Sequence, residues 1–521
     1  MRDNRLLLVW RLFPAIALSL TLLAHGVAQE DARYERLEKA ANLIRQGDLV
    51  RAEAELHLVL EKQPHDANAM NLLGVVRAQQ QRPREAEQLF LRALRQSPTL
   101  TGAYVNLGRL YLDEHNGERA RWAYSEAARL TPENPDIAYQ LATLYAAAGN
   151  FAQAIAFLER IPQSSWRFEE LYLATKSYLN LGLSDKALPI INSVIRSEAL
   201  TANEAAAFAA VLIKANLPDE ANSLLETALS KEPNSFALLY QLGVGYSQKK
   251  DWPKAEEYYT RALALNPGSV ATLRDLARLA RTRGELEKAL SYLVQARKLA
   301  PDDTSVLYDF GVVAFSMNLV LDALPIAEKL LQKEPNNPAY VHLLAVTRFR
   351  HDEKEAAEKL LRHYIQLRPQ DTLGYYLLGV TLFTVKRYQE ARQSFQQSLA
   401  FATNSDSEYM LGLIAENEGD KVTAVKWLER VGQSSASYPA AQTLLGVVYA
   451  EQNNISSART TLERAIQLNP QDLRAHYQLG LVYAKLGEKI LAQQMLAIAD
   501  RLREEQRNQE VVSFKLIDPP Q

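Results

Sequence analysis

Residues Thr101–Asn134 read TGAYVNLGRLYLDEHNGERARWAYSEAARLTPEN. In the first half, Tyr104, Leu107, Gly108 and Tyr111 recur at spacings of three and four, as do Ala120, Tyr124 and Ala127 in the second. Such spacing puts each set on one face of a helix. His115-Asn116-Gly117-Glu118 forms a short polar turn between them, and Thr131-Pro132 ends the second helix, since proline has no amide hydrogen to continue the ladder. The stretch predicts a hairpin of two helices.

Working outward, Ala120 is one of fourteen alanines in register: Ala52, Ala86, Ala120, Ala154, Ala187, Ala221, Ala255, Ala289, Ala323, Ala357, Ala391, Ala424, Ala458 and Ala492. They are separated by 34 residues, or by 33 twice. Twelve residues before each stands a small residue, which is Gly at eight positions, Ala at five and Thr175 once. Twelve residues after, Pro closes nine of the fourteen periods, at 64, 98, 132, 233, 267, 301, 335, 369 and 470. Self-similarity at this period signals supersecondary units stacked into a solenoid. Two helices approach closely only where a side chain is nearly absent, so the small residue of the first helix is expected to meet the Ala of the second.

The pattern Tyr104, Leu107-Gly108, Tyr111, Ala120, Tyr124, Ala127 and Pro132 resembles the tetratricopeptide repeat (TPR) family. Phe236–Pro267 is similar, with Leu242-Gly243, Tyr246, Ala255, Tyr259, Ala262 and Pro267. The resemblance covers residues 33–506 and implies an all-α fold, a right-handed α-solenoid superhelix of about fourteen tandem helix-turn-helix units. There are departures. Trp166, Ala199, Thr403 and Ala436 replace the closing Pro, and Pro189 and Pro325 are expected to perturb only the first turn of second helices. The string Leu-Glu-Arg-(Ile/Val)-x-Gln-Ser-Ser occurs twice, at Leu158–Ser165 and Leu428–Ser435.

Composition narrows the function classes. The 521 residues are 47% hydrophobic and 23% charged, which suits a chain that buries a core. Lys plus Arg number 59 against 61 Asp plus Glu, giving no electrostatic reason to expect nucleic acid or an anionic membrane as partner. With no cysteine, disulfides, thiolate metal sites and cysteine nucleophiles are excluded.

The ends read differently from the repeats. Arg2, Arg5 and Arg11 precede the apolar run Leu12–Ala24, and Gly26-Val27-Ala28 fits a signal-peptidase site, so residues 1–28 are expected to be a signal peptide. The 13-residue run is shorter than the roughly 20 residues of a spanning helix. The expected location is periplasmic or secreted, with an uncleaved N-terminal anchor as the alternative. No membrane insertion is expected beyond that segment. Residues 507–521 form a C-terminal tail containing the β-prone run Val511–Ile517, either resting on the last helices or serving as a recognition peptide.

Chemistry-bearing motifs are few. The eight histidines have no metal-ligand spacing, and His342, His351 and His363 fall on a first helix, a turn and a second helix. Gly243-Val244-Gly245 lies within a repeat helix and fails the phosphate-loop pattern, and no GxSxG elbow is present. The repeats fill the chain, so neither an enzyme nor a cofactor is expected.

Three positions on each first helix share a face, which in similar TPR arrays lines the concave groove. The first is Tyr in seven repeats: Tyr139, Tyr172, Tyr240, Tyr308, Tyr376, Tyr409 and Tyr477. Tyrosine there serves packing or recognition equally well. The second position is usually polar in the family but here is mostly Val or Leu, and the third is Phe315, Phe349 and Phe383 in three successive repeats. Tyr308, Val312, Phe315, Val346, Phe349, Tyr376, Val380 and Phe383 thus form one apolar strip, which implies a ligand or packing against neighbouring repeats. Arg274, Arg278 and Arg281 share a face of one helix and could meet an acidic peptide or a polysaccharide carboxylate. Asn71, Leu72 and Val105 do not supply the residues with which some TPR domains clamp a C-terminal carboxylate. The expected function is a non-enzymatic protein-protein interaction scaffold of the bacterial cell envelope. It would hold an extended or helical peptide segment of a protein partner and serve assembly of a secretion, pilus or exopolysaccharide system. The alternative is a periplasmic polysaccharide-binding protein using the aromatic-lined groove.

Overall fold

The computed structural model of the chain describes residues 28–197, 199–434 and 438–515. The expected signal segment before Ala28, Ala436 and the end of the tail from residue 516 lie outside the described residues. Within them, each period folds into a helical hairpin, giving twenty-eight α-helices in fourteen successive pairs, one short 3₁₀ turn and no strand. Below, the two helices of a repeat are called A and B.

The register of the sequence is the register of the elements. The marker alanine is the fourth residue of every B helix, as in Gly117–Leu130 and Lys354–Leu367, and all fourteen are buried. In every A helix after the first, the small residue is the eighth, as Gly108 is in Thr101–Asp113. Asp66, Asn134, Thr201, Asp303, Asn337, Asp371 and Asp472 cap their A helices by accepting backbone amide hydrogens. Each such cap is worth about 1 kcal/mol.

Every hairpin turns through one residue with positive φ, seven positions after the small residue. It is Gly in six repeats, Asn in three, and otherwise Gln81, His115, Lys250, Asp352 or Lys386. A left-handed residue at this point ends the A helix and lets its orphan carbonyls accept hydrogen bonds from the turn. In the third repeat Asn116 N donates to Tyr111 O at 2.8 Å.

The close approach of A and B differs from expectation. A Cβ placed on a glycine at the small-residue position of an A helix would not meet the marker alanine first. It would run into the side chain sixteen residues on: Phe90 from Gly74, Tyr124 from Gly108, Tyr259 from Gly243, Phe395 from Gly379 and Leu462 from Gly446. For Gly108 the nearest ring carbon would be 2.6 Å away. The alanine lets the backbones approach, and the glycine makes room for a ring. Gly311 is the variant, because Ala327 stands at the ring position and Leu343 of the next repeat fills the space.

Two departures have visible causes. The B helix Phe151–Leu158 stops after eight residues and gives way to the 3₁₀ turn Gln163–Ser165, whereas Lys421–Ser434 stays helical over residues 428–434 of its copy of the same string. Apart from Ile161 against Val431, the strings differ only in Pro162 against Gly432. Proline removes a donor and turns the residue before it away from helical dihedrals. Trp166 Nε1 then donates to Ile161 O at 3.0 Å, which fixes the altered connection. Pro189 and Pro325 leave their helices unbroken, and the bonds they remove would have gone to the carbonyls of Asp185 and Leu321 in the first turn. Each is the sixth residue of a continuous B helix, Ser184–Arg196 or Val320–Lys333, and so falls in the second turn.

The last helix runs Lys489–Lys515, so Val511–Lys515 continues it as helix. Ala499 and Leu502 are buried while Asp500, Arg501 and Arg503 face solvent, giving the terminal helix a polar outer side.

The chain divides into two compact bodies, residues up to Pro267 and residues from Gly268. In each body neighbouring repeats share continuous cores, such as Phe90, Leu107, Tyr124 and Leu141 in the first and Leu361, Leu378, Phe395 and Leu411 in the second. Polar stitches add to these cores. Tyr111, Tyr246, Tyr449 and Tyr483 each donate from an A helix to a glutamate on the preceding repeat's B helix, at 2.5–2.8 Å.

Candidate partner-binding face

All eight residues of the expected apolar strip are half-buried, on the A helices Thr304–Ser316, Pro338–Arg350 and Thr372–Thr384 of the second body. Tyr308, Val312 and Phe315 pack against a core of Leu307, Leu330 and Leu343. Tyr376, Val380 and Phe383 pack against a second core containing Leu378 and Phe395. The strip is therefore partly filled by its own repeats. Its rings are covered locally: Arg350 lies 4.4 Å from the centroid of Phe315, Lys354 lies 3.9 Å from that of Phe349, and Tyr388 packs at 5.4 Å against Phe383. Arg350 and Lys354 also donate to the carbonyls of Phe315 and Phe349. Tyr308 tilts against Tyr340 at 5.7 Å. Burial pushes the Tyr308 and Tyr376 phenols up, so both hydroxyls stay protonated through the physiological range.

The arginine cluster is occupied. Arg274 donates to Asp309 at 2.9 Å, and Arg278 reaches the same carboxylate at 3.3 Å and Asp275 at 3.6 Å. Asp309 belongs to the next repeat's A helix, so these cations tie adjacent repeats together. Arg281 is exposed at the end of the same helix and lies within electrostatic range of Tyr308. In the first body Asn106 donates to Asn71 at 2.9 Å across two repeats, so polar groups on that face also satisfy one another.

The three neighbouring histidines have separate partners. His342 lies 5.9 Å from the ring of Tyr364, and burial lowers its pKa; His351 pairs with Glu353 at 2.7 Å; His363 meets Asn336 at 3.2 Å. Among the described residues no group of three or more His, Asp or Glu is placed to hold a metal ion.

One constellation was not legible from the three-position register. Tyr438, just before the A helix Pro439–Glu451, packs 5.3 Å from Tyr409 and donates to Asp406 at 2.8 Å. Tyr438 stands eight residues before Gly446, outside the helical face on which the strip was read. The signal available was the adjacent Tyr-Pro pair at a helix start, which no other repeat has.

Family models agree with this geometry along the chain. Models described as tetratricopeptide repeat match residues 37–100, 111–165, 234–302 and 274–338, and one described as TPR repeat matches 446–487. A model described as anaphase-promoting complex, cyclosome, subunit 3 matches 316–398. This chain is a tetratricopeptide repeat protein. The TPR chain is 26% identical over 187 residues, 34% of its length, to the human protein O-mannosyl-transferase TMTC3. Its identity to the mouse protein of the same name is 36% over 76 residues. The matches span 20% and 8% of those relatives' own lengths. Among solved structures it is similar to the Cut9–Hcn1 hetero-tetramer of the APC/C, with 16% identity, TM-score 0.41, and 85% of this chain and 95% of that one covered. Yeast Tom70 aligns at 16% identity and TM-score 0.38, covering 88% of this chain and 100% of that one. A tetratricopeptide repeat protein from Parabacteroides merdae aligns at 19% identity and TM-score 0.40 over 47% of this TPR chain and 98% of that one.

Proposed function

We propose that this protein is a non-catalytic scaffold of a bacterial cell envelope, exported by its N-terminal segment, that holds a peptide segment of a protein partner on the A-helix face of its second body. A TPR fold supports a role in protein–protein interaction in general. The observation that carries the particular reading is the half-buried strip of Tyr308, Val312, Phe315, Val346, Phe349, Tyr376, Val380 and Phe383. Aliphatic and aromatic groups left partly accessible along three successive helices offer anchors for an extended or helical peptide. Arg350 and Lys354 lie over two of the rings as covers that a ligand can displace.

The direct test is capture from a cell-envelope fraction by the wild-type chain and by the triple variant Val346→Lys/Phe349→Glu/Phe383→Glu, with circular dichroism to confirm that both are folded. The expected result is a polypeptide held by the wild type and released by the variant, unaffected by free oligosaccharide. Equal retention by both would place the binding surface off the strip. Loss of retention on adding oligosaccharide would favour a glycan ligand instead.

A further inference from the structure

Charges along the A-helix face of the second body are mostly compensated within the chain. Arg274 and Arg278 converge on Asp309, and Arg350 and Lys354 lie over Phe315 and Phe349. Asp406 is different. It is the second residue of the helix Ser405–Asn417, is exposed, and accepts from the neutral hydroxyl of Tyr438 at 2.8 Å. Among the described residues Asp406 takes part in no salt bridge. A first-turn aspartate gains from the helix N-terminus, but that gain needs no aromatic neighbours.

Asp406 nevertheless has them. Tyr409 follows it by three residues on the same helix face, and its ring lies 5.3 Å from that of Tyr438, tilted by 34°. Tyr376 occupies the position equivalent to Tyr409 on the neighbouring A helix, its ring 6.0 Å from Phe395. All three tyrosines are half-buried. Burial first, and then the bond to Asp406, push the Tyr438 phenol up, and Asp406, Tyr376 and Tyr409 all lie close enough to contribute. Arg474, Glu416 and Asp472 also lie within electrostatic range of Tyr409.

A carboxylate at the edge of an aromatic wall suits one kind of occupant. The ring faces attract a cation through their quadrupoles, and the carboxylate supplies a charge-assisted acceptor. A guanidinium is planar and weakly hydrated, so it stacks on tyrosine while donating sideways. We propose that Tyr376, Tyr409, Tyr438 and Asp406 form a recognition site for an arginine side chain of a partner peptide. This rests on the reading of the A-helix face as a peptide-binding surface and adds the chemistry that the peptide must carry.

The experiment uses the full chain and two fluorescein-labelled octapeptides of alternating Val and Arg, one with every Arg replaced by citrulline. Citrulline keeps the planar shape and removes the charge. Fluorescence anisotropy should show the arginine peptide binding about tenfold more tightly than its neutral counterpart. Asp406→Asn and Tyr409→Leu should each weaken the arginine peptide by about tenfold and the citrulline peptide far less. Equal affinity for the two peptides, no binding of either, or indifference to both substitutions would each overturn the site. The strip variant Val346→Lys/Phe349→Glu/Phe383→Glu separates the two readings. If it abolishes binding while Asp406→Asn does not, the peptide face stands and the arginine site falls. If arginine-peptide binding survives it and still depends on Asp406, the site stands without the strip.

Discussion

A recurring constraint on single residues pairs the glycine of an A helix with a bulky side chain sixteen positions later. Gly74, Gly108, Gly243 and Gly379 face Phe90, Tyr124, Tyr259 and Phe395. Where the A helix carries Ala instead, as at 142, 209, 277 and 345, the partner position is Leu158, Leu225, Leu293 or Leu361. An aromatic ring always has a glycine opposite; leucine tolerates either. Gly108→Ala should therefore cost about 1–3 kcal/mol through overpacking against Tyr124, offset by the ~1 kcal/mol by which alanine outranks glycine as a helix former. In a double-mutant cycle with Tyr124→Leu, denaturation midpoints should reveal coupling of about 1 kcal/mol or more in favour of the double variant. Strict additivity would mean that ring and glycine do not share the space. The sequence showed that a small residue was needed at this position but not which neighbour demanded it, because a periodic alanine draws the eye and a residue alternating between Phe, Tyr and Leu does not. The left-handed turn residue was hidden for a related reason: with Gln81, Lys250 or Lys386 in that place, side-chain chemistry does not mark the backbone geometry.

At the scale of elements, the two near-identical strings give a controlled comparison. Leu158–Ser165 leaves the helix and Leu428–Ser434 stays in it, with Pro162 and Gly432 as the deciding difference. Pro162→Ala should extend the helix Phe151–Leu158 by about one turn, read out as slower hydrogen exchange at Arg160, Ile161 and Gln163. Unchanged exchange would assign the break to Trp166 and its bond to Ile161 rather than to the proline. The alternation of helices was legible, since the 34-residue period and most closing prolines point the same way, although Gly117 and Glu118, read as turn, begin the B helix. The binding face was less legible. Periodicity identified the strip and its arginines, but not that Asp309 would claim Arg274 and Arg278 or that Arg350 and Lys354 would fold over the phenylalanines. Those contacts join residues about 35 positions or about five positions apart, and helical spacing within one element does not report them.

For the whole molecule, the stitches between repeats set a pH dependence. Tyr449 and Tyr483 are pushed up to about 12, first by burial and then by the glutamate each bonds, and Tyr111 and Tyr246 shift the same way for the same reasons. Tyr124 is held at about 12 mainly by burial. An unfolded tyrosine ionises near pH 10. A group whose pKa is raised on folding contributes stability that is complete below its unfolded value and is lost as pH climbs through the folded one. Chemical-denaturation midpoints should thus stay level to about pH 9 and fall between about pH 10 and 12. Tyr449→Phe combined with Tyr483→Phe should flatten that fall. A midpoint equally steep in the double variant would show that these two phenols do not govern it. Composition alone allowed an all-α chain with a buried core. The division after Pro267 was not foreseen, since the marker alanines keep their 34-residue spacing across it.

The pairing of glycine with ring also says where such a gene can be cut and rejoined. A recombination event between the codons for Gly108 and Tyr124 would separate a lock from its key. Grafting the Ala142 half onto the Tyr124 half would force a methyl group into the ring, and the reverse graft, Gly108 with Leu158, would leave the glycine without the ring it accommodates. Exchange within the segment between one B helix and the next A helix, around Thr131-Pro132, keeps each glycine on the same copy as the ring sixteen residues after it. The heritable unit of this protein is therefore the intact hairpin, and lineages that gain or lose repeats should carry their junctions in those inter-hairpin segments.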